Sequence, residues 1–134
     1  MSEDFCSVTL YRESANDAIE IDVFRLDDEF VLLLAGEADC ATAWVLEQAL
    51  AVATQHDTAP IVTLDLTGIS FLSAECIGLI CASESCLRGQ ARRLVVRGPS
   101  RVVGRVLELC GLGAVIATSV PSLRSTRDAT PDAA

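Results

Sequence analysis

Residues 64–78 read LDLTGISFLSAECIG, and this stretch decides how the rest of the chain is interpreted. Its first three residues finish an apolar run that begins at Ile61. That run, 61–66, is short, β-branched and bounded by Pro60 and by Thr67-Gly68, the profile of a buried strand. The strand is expected to end in a loop. After Phe71-Leu72, Ser73 can cap a helix whose apolar residues Ile77, Leu79, Ile80 and Leu87 follow at helical spacings, with Gly78 leaving room for close backbone approach. A strand that feeds a helix start presents free backbone N–H groups and partial positive charge at the surface. A docking or modification site is therefore expected at this junction.

Working outward, Ile19, Ile21 and Val23 alternate with Glu20 and Asp22 over residues 18–26, a half-exposed strand. Asp27-Asp28-Glu29 reads as a turn, so the apolar stretch 30–35, FVLLLA, should return antiparallel and more deeply buried. Gly36 permits a sharp exit and Asp39 can cap a helix over 41–56, whose buried stripe is Val45, Leu46, Ala49, Leu50 and Val52. Trp44, near its start, reads as a partly buried anchor under the hairpin, with a partner contact as the alternative.

Downstream, the helix after Ser73 should run to about Leu87, with Gly89 as its C′ residue. Residues 93–97, RLVVR, form a short strand; 101–110 form a helix with Val102, Val103, Val106, Leu107 and Leu109 on its apolar side; and 114–117 make a last short strand. A terminal helix could start at Pro121. Strand–helix alternation from Phe30 onward gives an α/β domain, a mixed sheet with helices packed on it.

Residues 65–72, Asp-Leu-Thr-Gly-Ile-Ser-Phe-Leu, resemble the central motif of the STAS family, Asp-Leu-Ser/Thr-Gly-Val/Ile-x-Phe-Ile/Leu/Met-Asp-Ser/Thr-Ser/Thr-Gly-Leu-Gly, and Ile77-Gly78 matches its end. Gly36-Glu37-Ala38-Asp39 resembles the family's Gly-Glu-Leu/Ile-Asp, and Leu109-Cys110-Gly111-Leu112 its Leu-x-Gly-Leu, so the likeness covers about residues 32–116. The middle of the central motif departs from the pattern. Ser73 stands where the family has Asp, Ala74 where it has Ser or Thr, Glu75 at the phosphoacceptor, and Cys76 where it has Gly.

The resemblance implies the STAS fold, a mixed central sheet of four to five strands with three to four helices packed against it. The domain is expected over 17–123, preceded by a tail or edge strand at 1–16 and followed by a polar, Pro-broken, disordered tail at 124–134. In the family, a kinase-type anti-sigma factor of ATPase fold phosphorylates the Ser or Thr before the motif glycine, and the added charge, about −2 at a helix start, expels the partner. Glu75 cannot accept a phosphate. It is either a permanent mimic of the modified state or a sign of control without phosphorylation, while Ser73 is a capping residue or a displaced phosphosite.

The resemblance therefore implies an anti-sigma-factor antagonist that binds an anti-sigma factor through Asp39, Thr42, Ser73, Ala74, Glu75, Cys76 and Gly78, and so frees a sigma factor for transcription. The alternative is a non-phosphorylatable STAS scaffold or sensor subunit of a larger regulatory complex. A thiol-based redox enzyme is the third reading, and only the cysteines support it.

Composition narrows these choices. The chain has 134 residues, 51% of them hydrophobic, enough for one domain with a core. The acidic start Met1-Ser2-Glu3-Asp4 lacks the basic flank of a signal peptide and no apolar run is long enough for a bilayer, so a cytoplasmic protein without membrane contact is expected. The net charge of −9 lies mainly in residues 1–29, where nine acids face Arg12 and Arg25. Nucleic-acid binding is disfavoured, since phosphate neutralisation needs a basic surface. Arg88, Arg92, Arg93, Arg97, Arg101 and Arg105 read as solvated positions on helix faces and strand ends.

With no lysine and a single histidine, His56, at the polar end of a helix, no catalytic constellation forms and the chain is not expected to be an enzyme. The six cysteines contain no CxxC pair and lie at least sixteen residues from His56, so neither a metal nor a cofactor is expected. Cys76, inside a first helical turn where free N–H groups lower a thiol's pKa, forms with Cys110 a candidate redox switch, against separate inert thiols.

Overall fold

A computed structural model describes residues 8–15 and 18–117. Their six strands form one sheet in sequence order, from β1 (Val8–Ala15), β2 (Ile19–Leu26) and β3 (Glu29–Ala38) to β4 (Ile61–Leu72), β5 (Arg93–Arg97) and β6 (Ile116–Ala117). The first three pair antiparallel and the rest parallel. Parallel neighbours need crossovers, supplied by α1 (Ala43–Gln55), α2 (Ala74–Gly89) and α3 (Arg101–Leu109). Because the sheet advances one strand at a time in one direction, right-handed crossovers put all three helices on the same face.

The alternation in the sequence sets that face. Ile21, Val23, Leu32, Leu34, Leu64, Leu66 and Val96 are fully buried there, and Val45, Leu46, Ala49, Ile80, Leu87 and Leu107 close over them from the helices. The register matches the pattern: Val23 faces Leu32, Leu32 faces Leu64, and Leu64 faces Val96. The other face also buries residues. Val31, Thr63 and Asp65 are inaccessible, and Thr63 donates a 3.1 Å hydrogen bond to Glu29, which pairs with Arg97 at 3.3 Å.

The expected mixed sheet with helices packed on it is present, with six strands among the described residues where four to five are expected, and several boundaries differ for identifiable reasons. Within the N-terminal stretch 1–16, residues 8–15 form an edge strand, β1. β3 does not exit at Gly36 but continues to Ala38. Gly36 is still required, because its φ of +106° is left-handed and a Cβ there would run into the carbonyl oxygen of Ala18. β4 does not stop at Thr67-Gly68 either; it runs to Leu72 through two bulges, with one extra β4 residue between the pairs Leu33–Asp65 and Ala35–Gly68, and another between Gly36–Ile69 and Glu37–Phe71.

The Asp-Leu-Thr-Gly segment builds the first bulge. The buried Asp65 carboxylate accepts the Thr67 N–H at 2.9 Å, supplying a partner where the ladder is interrupted. At Gly68 a Cβ would lie 2.9 Å from the Leu34 carbonyl oxygen, so only glycine allows the strands to stay paired. At the second bulge, the hydroxyl of the extra residue Ser70 donates to the Gly36 carbonyl at 3.3 Å.

Helix ends show the same kind of correction. Gly89 remains inside α2, and the left-handed C′ position falls on Ala91, φ 61°. Ala91 N–H bonds to Arg88 O at 3.1 Å and Arg92 N–H to Leu87 O at 2.8 Å, a Schellman closure. α3 ends the same way with a glycine in place: Gly111 has φ 89°, and Leu112 folds back onto the Leu107 carbonyl at 2.9 Å. Val102 and Leu109, expected on the apolar side of α3, are 72% and 78% exposed. The stretch 114–117 is a 3-10 turn, Gly113–Val115, followed by the two-residue β6. The expected helix from Pro121 and the tail at 124–134 lie outside the described residues.

Candidate functional site

The C-terminal ends of β3 and β4 lie side by side, Ala38 paired with Leu72, and each runs into a helix. Open α/β sheets place their sites at this end of the strands. At the β3 exit, the Asp39 carboxylate accepts the backbone N–H groups of Ala41 at 3.0 Å and Thr42 at 3.1 Å. In return the Thr42 hydroxyl accepts the Asp39 N–H at 3.0 Å, a reciprocal brace. Asp39 therefore caps the turn 40–42 rather than α1 itself, whose N-cap residue Thr42 makes no side-chain cap bond.

At the β4 exit, Ser73 caps α2 as expected, its hydroxyl accepting the Cys76 N–H at 3.2 Å. Ser73 N–H also bonds the Ala38 carbonyl at 2.8 Å, tying the start of α2 to the end of β3. Cys76 completes the connection, its thiol facing the Asp39 carbonyl at 3.9 Å.

The seven nominated positions divide into two groups. Thr42, Ser73 and Cys76 are buried, at 1%, 8% and 0% exposure, and form the base of the site. Ala74, Glu75 and Gly78 are exposed above it, and Asp39 is partly exposed. Gly78 does not permit a close backbone approach, since a Cβ there would meet nothing within 4 Å. Glu75 lies in the first turn of α2, where a carboxylate is favoured by the helix dipole.

Two large apolar side chains at this end of the molecule are half-exposed: Trp44 at 48%, in the first turn of α1, and Phe71 at 49%, on the last stretch of β4. Trp44 is thus less covered than an anchor under the hairpin would be. Phe71 is turned outward by the second bulge, which strand periodicity in the sequence cannot reveal.

The thiols differ from expectation. Burial pushes the Cys76 thiol above its ordinary pKa, outweighing the Ser73 hydroxyl and backbone bonds that pull it down. The first-turn position does not make it reactive. Cys76 lies within electrostatic range of exposed Cys40, whereas Cys110, exposed at the C-cap of α3, is within range of Cys81. All five described cysteines, Cys40, Cys76, Cys81, Cys86 and Cys110, are free. His56 is exposed at the C-cap of α1, its N–H bonded to the Val52 carbonyl. Among the described residues no helix is long and apolar enough to cross a membrane, and no group of three or more His, Cys, Asp or Glu could hold a metal ion.

A family model described as "Mlab, STAS domain" matches residues 15–118. The anti-sigma-B factor antagonist of Listeria monocytogenes is 29% identical over 99 residues, covering 73% of this chain and 86% of that protein. The crystal structure of an anti-sigma factor antagonist from Mycobacterium paratuberculosis superposes with a TM-score of 0.69 at 28% identity, covering 90% of this chain and all of that one. The Bacillus cell fate determinant SpoIIAA in its phosphorylated form shares the fold, with a TM-score of 0.65 at 18% identity over 81% of this chain and 96% of that one. Over most of its length this chain belongs to the STAS domain family.

Proposed function

We propose that this protein is an anti-sigma-factor antagonist, which binds an anti-sigma factor of kinase-type ATPase fold at the C-terminal ends of β3 and β4 and thereby frees a sigma factor. The observation that carries this reading is the half-exposed Phe71 next to the α2 N-terminus, an aromatic anchor held on a rigid, fully bonded base. Ala74, Glu75, Gly78 and Asp39 form the rest of the contact surface, while Thr42, Ser73 and Cys76 hold it in shape. The relatives named as antagonists support the assignment.

Control in this chain differs from the family's phosphate switch. Glu75 at the phosphoacceptor position cannot accept a phosphate, and Ser73 is 8% exposed with its hydroxyl engaged as a cap. Mixing the protein with its anti-sigma factor and radiolabelled ATP should give a stable complex on size exclusion with no label on this chain. Failure to form a complex would overturn the assignment, and label on Ser73 would overturn the altered control. Glu75 also favours a second reading, a STAS scaffold or sensor subunit without a switch; a large stable assembly on sizing from the native cell, lacking an anti-sigma factor, would select it.

A further inference from the structure

A cleft of about 470 Å³ runs from the starts of β3, β4 and β5, where Glu29, Ile61 and Arg93 are register partners, along β5 to Arg97 and β6. That volume suits a small molecule. The lining includes Arg88, Arg92, Arg93 and Arg97, four of the ten basic residues in a chain of net charge −9, against Glu29 and Glu84. The acids are already engaged, Glu29 with Arg97 at 3.3 Å and Glu84 with Arg88 at 3.4 Å. Arg93 is exposed and pairs with no carboxylate among the described residues. Arg92 is 92% buried; it donates to the Ala59 carbonyl and the Gln90 amide oxygen, each at 2.7 Å, but its nearest carboxylate oxygen, on Asp57, is 3.9 Å away and already pairs with Arg25 at 3.2 Å.

Two guanidinium nitrogens in this lining, Arg92 Nη2 and Arg97 Nε, are buried without a hydrogen-bond acceptor. Buried donors on charged groups are costly to leave unmet, and nearly all in folded proteins have a partner. The cleft thus combines surplus positive charge with two unmet N–H groups just beneath its surface, on side chains whose planar fork matches phosphate oxygens. We infer that it binds a small phosphorylated anion of at least two negative charges, at a site beside β5 and β6 and apart from the docking surface at the ends of β3 and β4. An extended nucleic acid does not fit as well, because the net charge of the chain repels a polyanion outside the cleft.

Calorimetric titration of the full chain with pyrophosphate at low ionic strength tests this. Saturable one-to-one binding is expected, weakened at least about tenfold by Arg93→Gln and by Arg97→Gln, with unchanged circular dichroism as the check on folding. Arg105→Gln, on α3 outside the cleft, should bind like the parent. No saturable binding at millimolar pyrophosphate would overturn the inference. So would equal weakening by Arg105→Gln, or an oligonucleotide binding more tightly than pyrophosphate.

Discussion

The two halves of β4 have similar composition and different functions. In residues 61–66 the ladder is regular, and Val62, Leu64 and Leu66 enter the helix-covered core while Thr63 and Asp65 are buried on the opposite face. In residues 67–72 two extra residues change the spacing of the buried side chains from two to three, so that Leu66, Ile69 and Leu72 point inward and Phe71 is left facing out. The first half holds the sheet together, and the second shapes its end and presents α2. The difference shows how a site can be placed on a rigid strand without a loop: each bulge redirects the side chains that follow it, at the cost of a few ladder bonds that Asp65 and Ser70 partly replace.

If this division holds, the largest loss of stability should come from the regular half. Leu64→Ala removes a fully buried side chain at the centre of the sheet and should lower unfolding free energy by about 3 kcal/mol in urea denaturation. A change below about 1 kcal/mol would mean that the core is not centred there. Ser73→Ala, at the junction, removes the cap bond to the Cys76 N–H together with the hydroxyl contact to its thiol and should cost about 1 kcal/mol.

The base of the site should also respond to pH. The folded state holds the Cys76 proton to higher pH than the unfolded chain, so the stability this contributes is present below the ordinary thiol pKa, about 8.5, and is lost as pH rises beyond it. Denaturation from neutral to alkaline pH in reducing buffer should show that decline. Cys76→Ala should flatten it only in part, because Cys81 is pushed in the same direction. The smallest stability effect belongs to the bulged half: Phe71→Ala should shift unfolding by less than about 1 kcal/mol, since half of the ring is already in water. A large loss would make Phe71 part of the core and remove it from the docking surface.

Much of this arrangement is legible in the sequence. Alternation at Ile19, Ile21 and Val23 and the cap at Ser73 are local signals, and they mark β2 and the start of α2. What the sequence hides depends on contacts far along the chain. The bulges exist because Gly68 must pass the Leu34 carbonyl and because Asp65 can meet the Thr67 N–H, so the strand appears to stop at Thr67 when it does not. The same bulges expose Phe71. Cys76 looks activated when only its helical position is considered, whereas tertiary burial reverses the direction of its pKa shift. The arginine cleft is invisible for a similar reason: Glu29 and Arg97 meet across three strands, though 68 residues separate them.

Hydrogen exchange of the amides, compared with and without the anti-sigma factor, distinguishes the two ends of the sheet most directly. Docking at the bulged end predicts new protection over residues 39–45 and 70–79, with residues 29–31, 61–63 and 93–95 unchanged. Protection confined to the latter segments, with none around Phe71 and Glu75, would contradict it.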